Sequence, residues 1–167
     1  MEIRRLNAED AAAYWELRLE ALQTSPDAFI TTYEDALAKD NPIAQAADRM
    51  TNEHNFTYGA FMNSRLIGTV TMLRQTHQKF AHKADILAMY VTPHFRGKNT
   101  GKWLLQQAIE DAKQVGIEQL LLGVVSTNEP AVRLYQSLGF TVFGTEKNAI
   151  KTRNSYFDEY MMVLFLT

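Results

Sequence analysis

Between Val91 and Leu105 the chain reads Val-Thr-Pro-His-Phe-Arg-Gly-Lys-Asn-Thr-Gly-Lys-Trp-Leu-Leu, an apolar strand end running through a Gly- and Lys-bearing turn into an amphipathic helix. Such a helix start is an anion cradle. Its first-turn N–H groups have no intrahelical acceptor and the helix dipole adds positive potential, so main chain can hold a phosphate. Gly97 and Gly101 are expected to let the backbone approach the ligand, and Arg96, Lys98 and Lys102 place three cations within seven residues. That density suits a ligand with several phosphates better than a single carboxylate. The turn Arg96-Gly97-Lys98-Asn99-Thr100-Gly101-Lys102 therefore predicts a nucleotide-like cofactor.

Two common phosphate loops do not fit. A Walker loop needs four residues between its glycines and a hydroxyl after the lysine, whereas three separate Gly97 from Gly101 and Trp103 follows Lys102. An ATP-binding module is thereby disfavoured. A dinucleotide fingerprint fails because Asn99 and Lys102 stand where its second and third glycines belong. The stretch instead resembles the acetyl-coenzyme A loop of the GNAT acetyltransferase superfamily, Gln/Arg-x-x-Gly-x-Gly/Ala, through Arg96, Asn99 and Gly101. Asn99 replaces the usual glycine, and Asn is the non-glycine residue that most readily enters the left-handed region. A second segment, Asn128-Glu-Pro-Ala-Val-Arg-Leu-Tyr-Gln-Ser-Leu-Gly-Phe140, resembles the superfamily's next motif at Asn128, Ala131, Leu134, Tyr135, Gly139 and Phe140. Its local chemistry is helical: Asn128 is a good N-cap, Pro130 is tolerated in the first turn, and Gly139 suits a left-handed cap.

The elements around these motifs follow from periodicity and turn residues. A short strand is expected at 2–6, a helix at 8–22, a loop at 24–33 begun by Ser25-Pro26-Asp27, and a second helix at 38–50. Antiparallel strands are expected at 57–62, 66–73 and 84–91. The helix opened by the anion turn should run from Thr100 to Val115 with Leu104, Leu105, Ala108, Ile109 and Ala112 inward, stopped by Gly116. A fully buried strand is expected at 119–125, and further strands near 140–146 and 156–166.

Composition sets the frame. With 167 residues and 46% hydrophobic content, and no Pro/Gly/Ser-rich break, one domain spanning 1–167 is expected. A net charge of −2 with 17 scattered Lys and Arg argues against nucleic acid as a partner. There are no cysteines, hence no disulfide, thiolate metal site or cysteine acyl-enzyme. The four histidines have no zinc spacing, so no metal is expected. The N-terminus has no apolar core of a signal peptide and no run is long enough for a membrane span, which predicts a cytoplasmic protein without a membrane partner.

The order of elements also matches the resemblance, which implies an α/β (α+β) fold: a GNAT-like mixed, mostly antiparallel sheet of about seven strands with helices on both faces. It implies that the strands at 84–91 and 119–125 splay apart to admit pantetheine. The backbones of Met89 and Val91 would bond that arm as a peptide strand would, with Asn128 contacting it and pyrophosphate on the 96–102 amides. The implied activity is an N-acetyltransferase that moves acetyl directly from acetyl-CoA to a primary amine of a small molecule or peptide, with Tyr135 beside the thioester sulfur. Amines are mostly protonated at pH 7, so a base is required, and Glu34 and Asp85 are its candidates. Phe29, Tyr33, Glu34 and the 147–156 connection would line the acceptor pocket, and Asp158 and Glu159 would attract a cationic acceptor. The alternative is a catalytically weak coenzyme A sensor of the same fold, marked by Asn99. A homodimer is compatible with this reading.

Overall fold

In the computed structural model, which describes residues 1–166, the apolar runs form seven strands: β1 (Glu2–Arg5), β2 (Asn55–Met62), β3 (Arg65–Arg74), β4 (Lys83–Val91), β5 (Gln119–Val125), β6 (Thr141–Lys151) and β7 (Tyr156–Phe165). They make one sheet in the order β1-β2-β3-β4-β5-β7-β6. Every pair is antiparallel except β4 with β5. That parallel pair needs a crossover, supplied by helix α4 (Thr100–Gln114).

Both faces of the sheet carry helices. On one, α4 and α5 (Glu129–Ser137) pack Leu104, Leu105, Ala108 and Tyr135 against Tyr58, Ile67, Met72, Leu120 and Met162. On the other, α1 (Ala11–Thr24) and α3 (Pro42–Thr51) bury Leu17, Ala21 and Met50 with Leu6, Phe61, Leu66 and Tyr90. A short helix α2 (Tyr33–Leu37), capped by Thr32 through the Asp35 N–H, lies between them. The fold is the expected mixed, mostly antiparallel sheet with helices on two sides. Among the described residues no helix is long and apolar enough to cross a membrane.

Local departures have identifiable causes. The first helix starts as a 3-10 turn over Ala8–Asp10 rather than as α-helix at residue 8. There Asn7 accepts from Glu9 N at 2.8 Å, and Asp10 accepts both from Asn7 N at 2.9 Å and from the Arg4 guanidinium at 2.7 and 2.8 Å. β6 runs past the expected 146 to Lys151, but its register with β7 slips between Glu146 and Ile150, where Asn148 has φ +53°. Asp158 holds that irregularity, accepting from Asn148 N at 2.9 Å and Lys147 Nζ at 2.7 Å, so its carboxylate serves the hairpin rather than an acceptor.

Two irregularities shape the centre of the sheet. β4 pairs with β5 through only Lys83↔Gln119, Ala84↔Leu120 and Asp85↔Leu121, after which the strands part. The β5 run is for that reason not fully buried as expected: Leu121 is half-buried and Gly123 is exposed to the opening. Opposite β3, β4 carries a bulge, since Thr69 pairs with Tyr90 but Thr71 with Leu87, and Ala88 adopts φ +51°. An inserted residue inverts the alternation of a strand. Ala84 and Ile86 before the bulge and Val91 after it share the α4-side core, while Tyr90 joins the α1-side core.

Candidate active site

The anion turn is built on the end of β4. Thr92 N donates to Ile67 O at 2.9 Å, a 3-10 turn spans Pro93–Phe95, and the backbone turns left-handed at Gly97 (φ +71°) and Asn99 (φ +63°) before α4 begins. Asn99 thus takes the conformation its glycine position requires, and its carbonyl already accepts from Trp103 N at 3.0 Å. Thr100 is buried and donates its hydroxyl to Phe95 O at 3.2 Å, leaving its amide in the helix's first turn. Arg96 is braced by Nε donating to Val91 O at 2.8 Å and by Ser25 Oγ at 3.2 Å.

The two glycines have different duties. A Cβ on Gly97 would meet nothing within 4 Å, so its need is the positive φ and the open space over the turn. A Cβ on Gly101 would lie 2.8 Å from Met89 Cε and 3.1 Å from Leu134 Cδ2. The missing side chain of Gly101 thus also lets α4 seat against β4 and α5, a packing demand that its place in the turn did not reveal. A cavity of about 570 Å³ opens over this turn and is lined by Met89, Val91, Arg96, Gly97, Asn99, Thr100, Gly101, Lys102 and Asn128. Lys98 does not line it and lies over the Phe95 ring at 5.5 Å.

The parting strands hold a second cavity of about 540 Å³ that continues from the first through Phe29, Met89, Asn128 and Leu134. Tyr135 projects into it from α5, whose start is capped by Asn128 accepting from Ala131 N at 3.4 Å and whose end turns at Gly139 (φ +94°). The Tyr135 ring meets Phe140 edge-on at 5.8 Å, and its hydroxyl has no hydrogen-bond partner among the described residues. Burial pushes this phenol up to about 12.

Three carboxylates face the same cavity, Asp85, Glu146 and Glu159. Burial raises Asp85 above the usual carboxylate range, against the opposing effect of the Gln75 side-chain amide that donates to it. Burial, and then the charge of Glu146 across the strand pair, raises Glu159. Glu159 lies against Gly123, whose missing side chain leaves room for it: a Cβ there would sit 3.3 Å from Glu159 Oε2. Glu34 is not brought to this place. It is exposed on α2 and lines neither cavity. Glu146 and Gly123 escaped sequence reasoning, whereas Glu159 was expected to attract a cationic acceptor and does line the gap; its signal was a carboxylate inside the apolar run 156–166.

A model of the acetyltransferase (GNAT) family matches residues 13–140. The chain belongs to this GNAT family. A putative acetyltransferase from Salmonella typhimurium, solved with its cofactor acetyl-CoA, is 25% identical and superposes with a TM-score of 0.85 over 100% of this chain and 94% of its own. A GNAT acetyltransferase structure from Streptococcus pneumoniae shares the fold at a TM-score of 0.86, with 24% identity and 98% of each chain covered. The spermidine N(1)-acetyltransferase of Thermoplasma acidophilum is 27% identical over 152 residues, 87% of this chain and 91% of that protein. As a GNAT protein the chain is an acyltransferase.

Proposed function

We propose that the protein moves the acetyl group of acetyl-CoA directly to a primary amine of a small molecule or peptide, in the cavity between β4 and β5. The observation that carries this reading is the parting of the two strands after Asp85, with an anion turn beyond the end of β4 and three carboxylates lining the gap. The residues fit the cofactor. Gly97 leaves open space over its left-handed turn, the amides of Thr100, Gly101 and Lys102 begin α4, and Lys102 and Arg96 add charge for pyrophosphate. The β4 edge at Met89 and Val91, unpaired by β5, offers main-chain groups to an extended pantetheine arm, and Asn128 faces the same channel.

When bound, acetyl-CoA supplies an acetyl group on a thiol whose ordinary pKa is about 8.5. Tyr135, at about 12, stays protonated and can donate a hydrogen bond where negative charge grows on sulfur. Full proton transfer from it to a thiolate would be uphill by roughly 5 kcal/mol, at 1.36 kcal/mol per pH unit. Its role is therefore electrostatic. An incoming ammonium must lose a proton, and Asp85 and Glu159, both raised by burial, are the groups in the gap able to hold it. Glu159 also has Glu146 to share the attraction of a cation. The relative named for spermidine acetylation supports an amine acceptor.

The test is thiol release from acetyl-CoA across a panel of amines, with Tyr135→Phe measured beside the parent. A loss of roughly tenfold to a thousandfold in kcat at unchanged acetyl-CoA affinity and melting temperature is expected, since the hydroxyl makes no internal hydrogen bond. Equal kcat in folded Tyr135→Phe would remove it from the mechanism. No thiol release with any amine would overturn the activity.

A further inference from the structure

A third cavity, of about 260 Å³, lies on the α1 and α3 side of the sheet and joins the acceptor gap through Arg18, Thr31, Leu87 and Ala88, which line both. Its charges are all of one sign. Arg18, Lys39 and Arg49 line it and no carboxylate does. Among the described residues none of the three forms an ion pair. Arg18 is half-buried, with its guanidinium 4.6 Å over the Phe29 ring. Burial lowers its pKa, Tyr14 opposes this in part, and the neighbouring Arg49 charge adds a smaller lowering. Two cations held beside one another, one of them partly desolvated, are costly without an anion. Among the described residues no carboxylate, including those of the adjoining gap, stands within ion-pair distance of Arg18 or Arg49.

We propose that this cavity receives an anionic group of the acceptor, so that the substrate is a small amine that also carries a carboxylate or phosphate. The inference rests on the acetyl-transfer reading above and adds the acceptor class. Arg18 shares the gap with the carboxylates of Asp85, Glu146 and Glu159 and with Tyr135, whereas Lys39 and Arg49 line only the third cavity. A dipolar acceptor is thereby oriented with its amine toward the thioester, while a polyamine would place a second cation against Arg18. From Asp85 to Ala88 is three residues of strand, roughly 10 Å at about 3.3 Å per residue. Arg18 shortens that span by reaching into both cavities, which suits a compact molecule of amino-acid size.

Thiol release is measured with L-amino acids, their carboxamides, longer ω-amino acids, phosphoethanolamine and spermidine, on the parent, Arg18→Gln and Arg49→Gln. The expected result is a kcat/KM at least tenfold higher for one carboxylate- or phosphate-bearing amine than for its neutral counterpart, and the panel separates carboxylate from phosphate. The ratio should fall toward one in both variants through KM. A readout independent of turnover accompanies it: Arg49→Gln, which relieves repulsion on an exposed residue, should melt at or above the parent temperature without acceptor. Preference for spermidine, parity of acid and amide in the parent, or a ratio that survives both substitutions would overturn the inference while leaving acetyl transfer intact. Silence across the whole panel would instead overturn the activity on which it rests.

Discussion

Adding one methyl group to Gly101 should damage cofactor binding without touching phosphate. In Gly101→Ala the new Cβ arrives 2.8 Å from Met89 Cε and 3.1 Å from Leu134 Cδ2, and 3.8 Å from Val91 Cγ2. The first neighbour is the far end of a flexible side chain and must move. Met89 lines both the anion-turn cavity and the acceptor gap, so the space it gives up is taken from the channel proposed for pantetheine. For the fold, a helix gains about 0.5–1 kcal/mol when Gly becomes Ala, while crowding costs about 1–3 kcal/mol, so stability should fall by no more than about 2.5 kcal/mol. Binding should suffer more visibly: displacing one methyl into the channel at about 1–2 kcal/mol corresponds to a five- to thirtyfold rise in the Kd for acetyl-CoA, at 1.4 kcal/mol per decade. Calorimetric titration of Gly101→Ala, Met89→Ala and the double variant isolates the contact, because Met89→Ala should restore affinity only in the Gly101→Ala background. Unchanged affinity in folded Gly101→Ala, or a loss that Met89→Ala does not repair, would refute the packing role.

Asn99→Gly should bind acetyl-CoA as well as the parent or better, since glycine enters the φ +63° conformation freely, whereas Asn99→Val should weaken binding at least tenfold by calorimetry. Because the folded protein raises the carboxyl of Glu159, its ionised, proton-accepting form should appear only above the ordinary range of about 4.3, and the acidic limb of the kcat/KM profile should shift in Glu159→Gln. The sign for stability is the opposite: the native state favours the protonated carboxyl, so that stability is present below about 4.3 and lost as pH rises through the raised value, and Glu159→Gln should melt higher near pH 7. Tyr58→Phe removes a hydroxyl that donates to Asp111 Oδ2 at 2.8 Å from a fully buried ring, tying β2 to α4. It should cost about 1.5–3 kcal/mol in urea denaturation and leave acetyl-CoA affinity unchanged.

What sequence made legible was the chemistry settled within a few residues. Asn128 as a cap, Gly139 as a left-handed stop and Asn99 as a surrogate glycine each follow from local backbone demands, and each appears in the fold. Gly101 looked the same as Gly97 in sequence and serves a different end, because its neighbours Met89 and Leu134 arrive from β4 and α5. The alternation of β4 misleads for a similar reason: the bulge at Ala88 depends on register with β3, and it sends Tyr90 to one core and Val91 to the other. Glu159 becomes a site residue only once β7 lies between β5 and β6, opposite Val125 and Glu146. Glu34 is expected from the resemblance beside the acceptor, and α2 turns it to solvent.

The parting of β4 from β5 also bears on how the protein keeps its working state. Strand edges ordinarily lie at the rim of a sheet, where charge or cover discourages pairing. Here two edges face each other inside the molecule, beyond Asp85 and Leu121, and zipping them together would satisfy backbone groups and close the active cavity. The bulge at Ala88, three residues past the last pair, twists β4 out of register for that closure, at roughly 1–2 kcal/mol of left-handed strain in a non-glycine residue. Competence for acetyl transfer and maximal stability of the empty protein therefore pull in opposite directions, and ligand binding reconciles them: occupancy at a hundredfold excess over Kd adds about 2.7 kcal/mol. Amide exchange should register this as slowed hydrogen loss along 86–91 and 122–125 when acetyl-CoA is present, with the far strands β1 and β2 little altered.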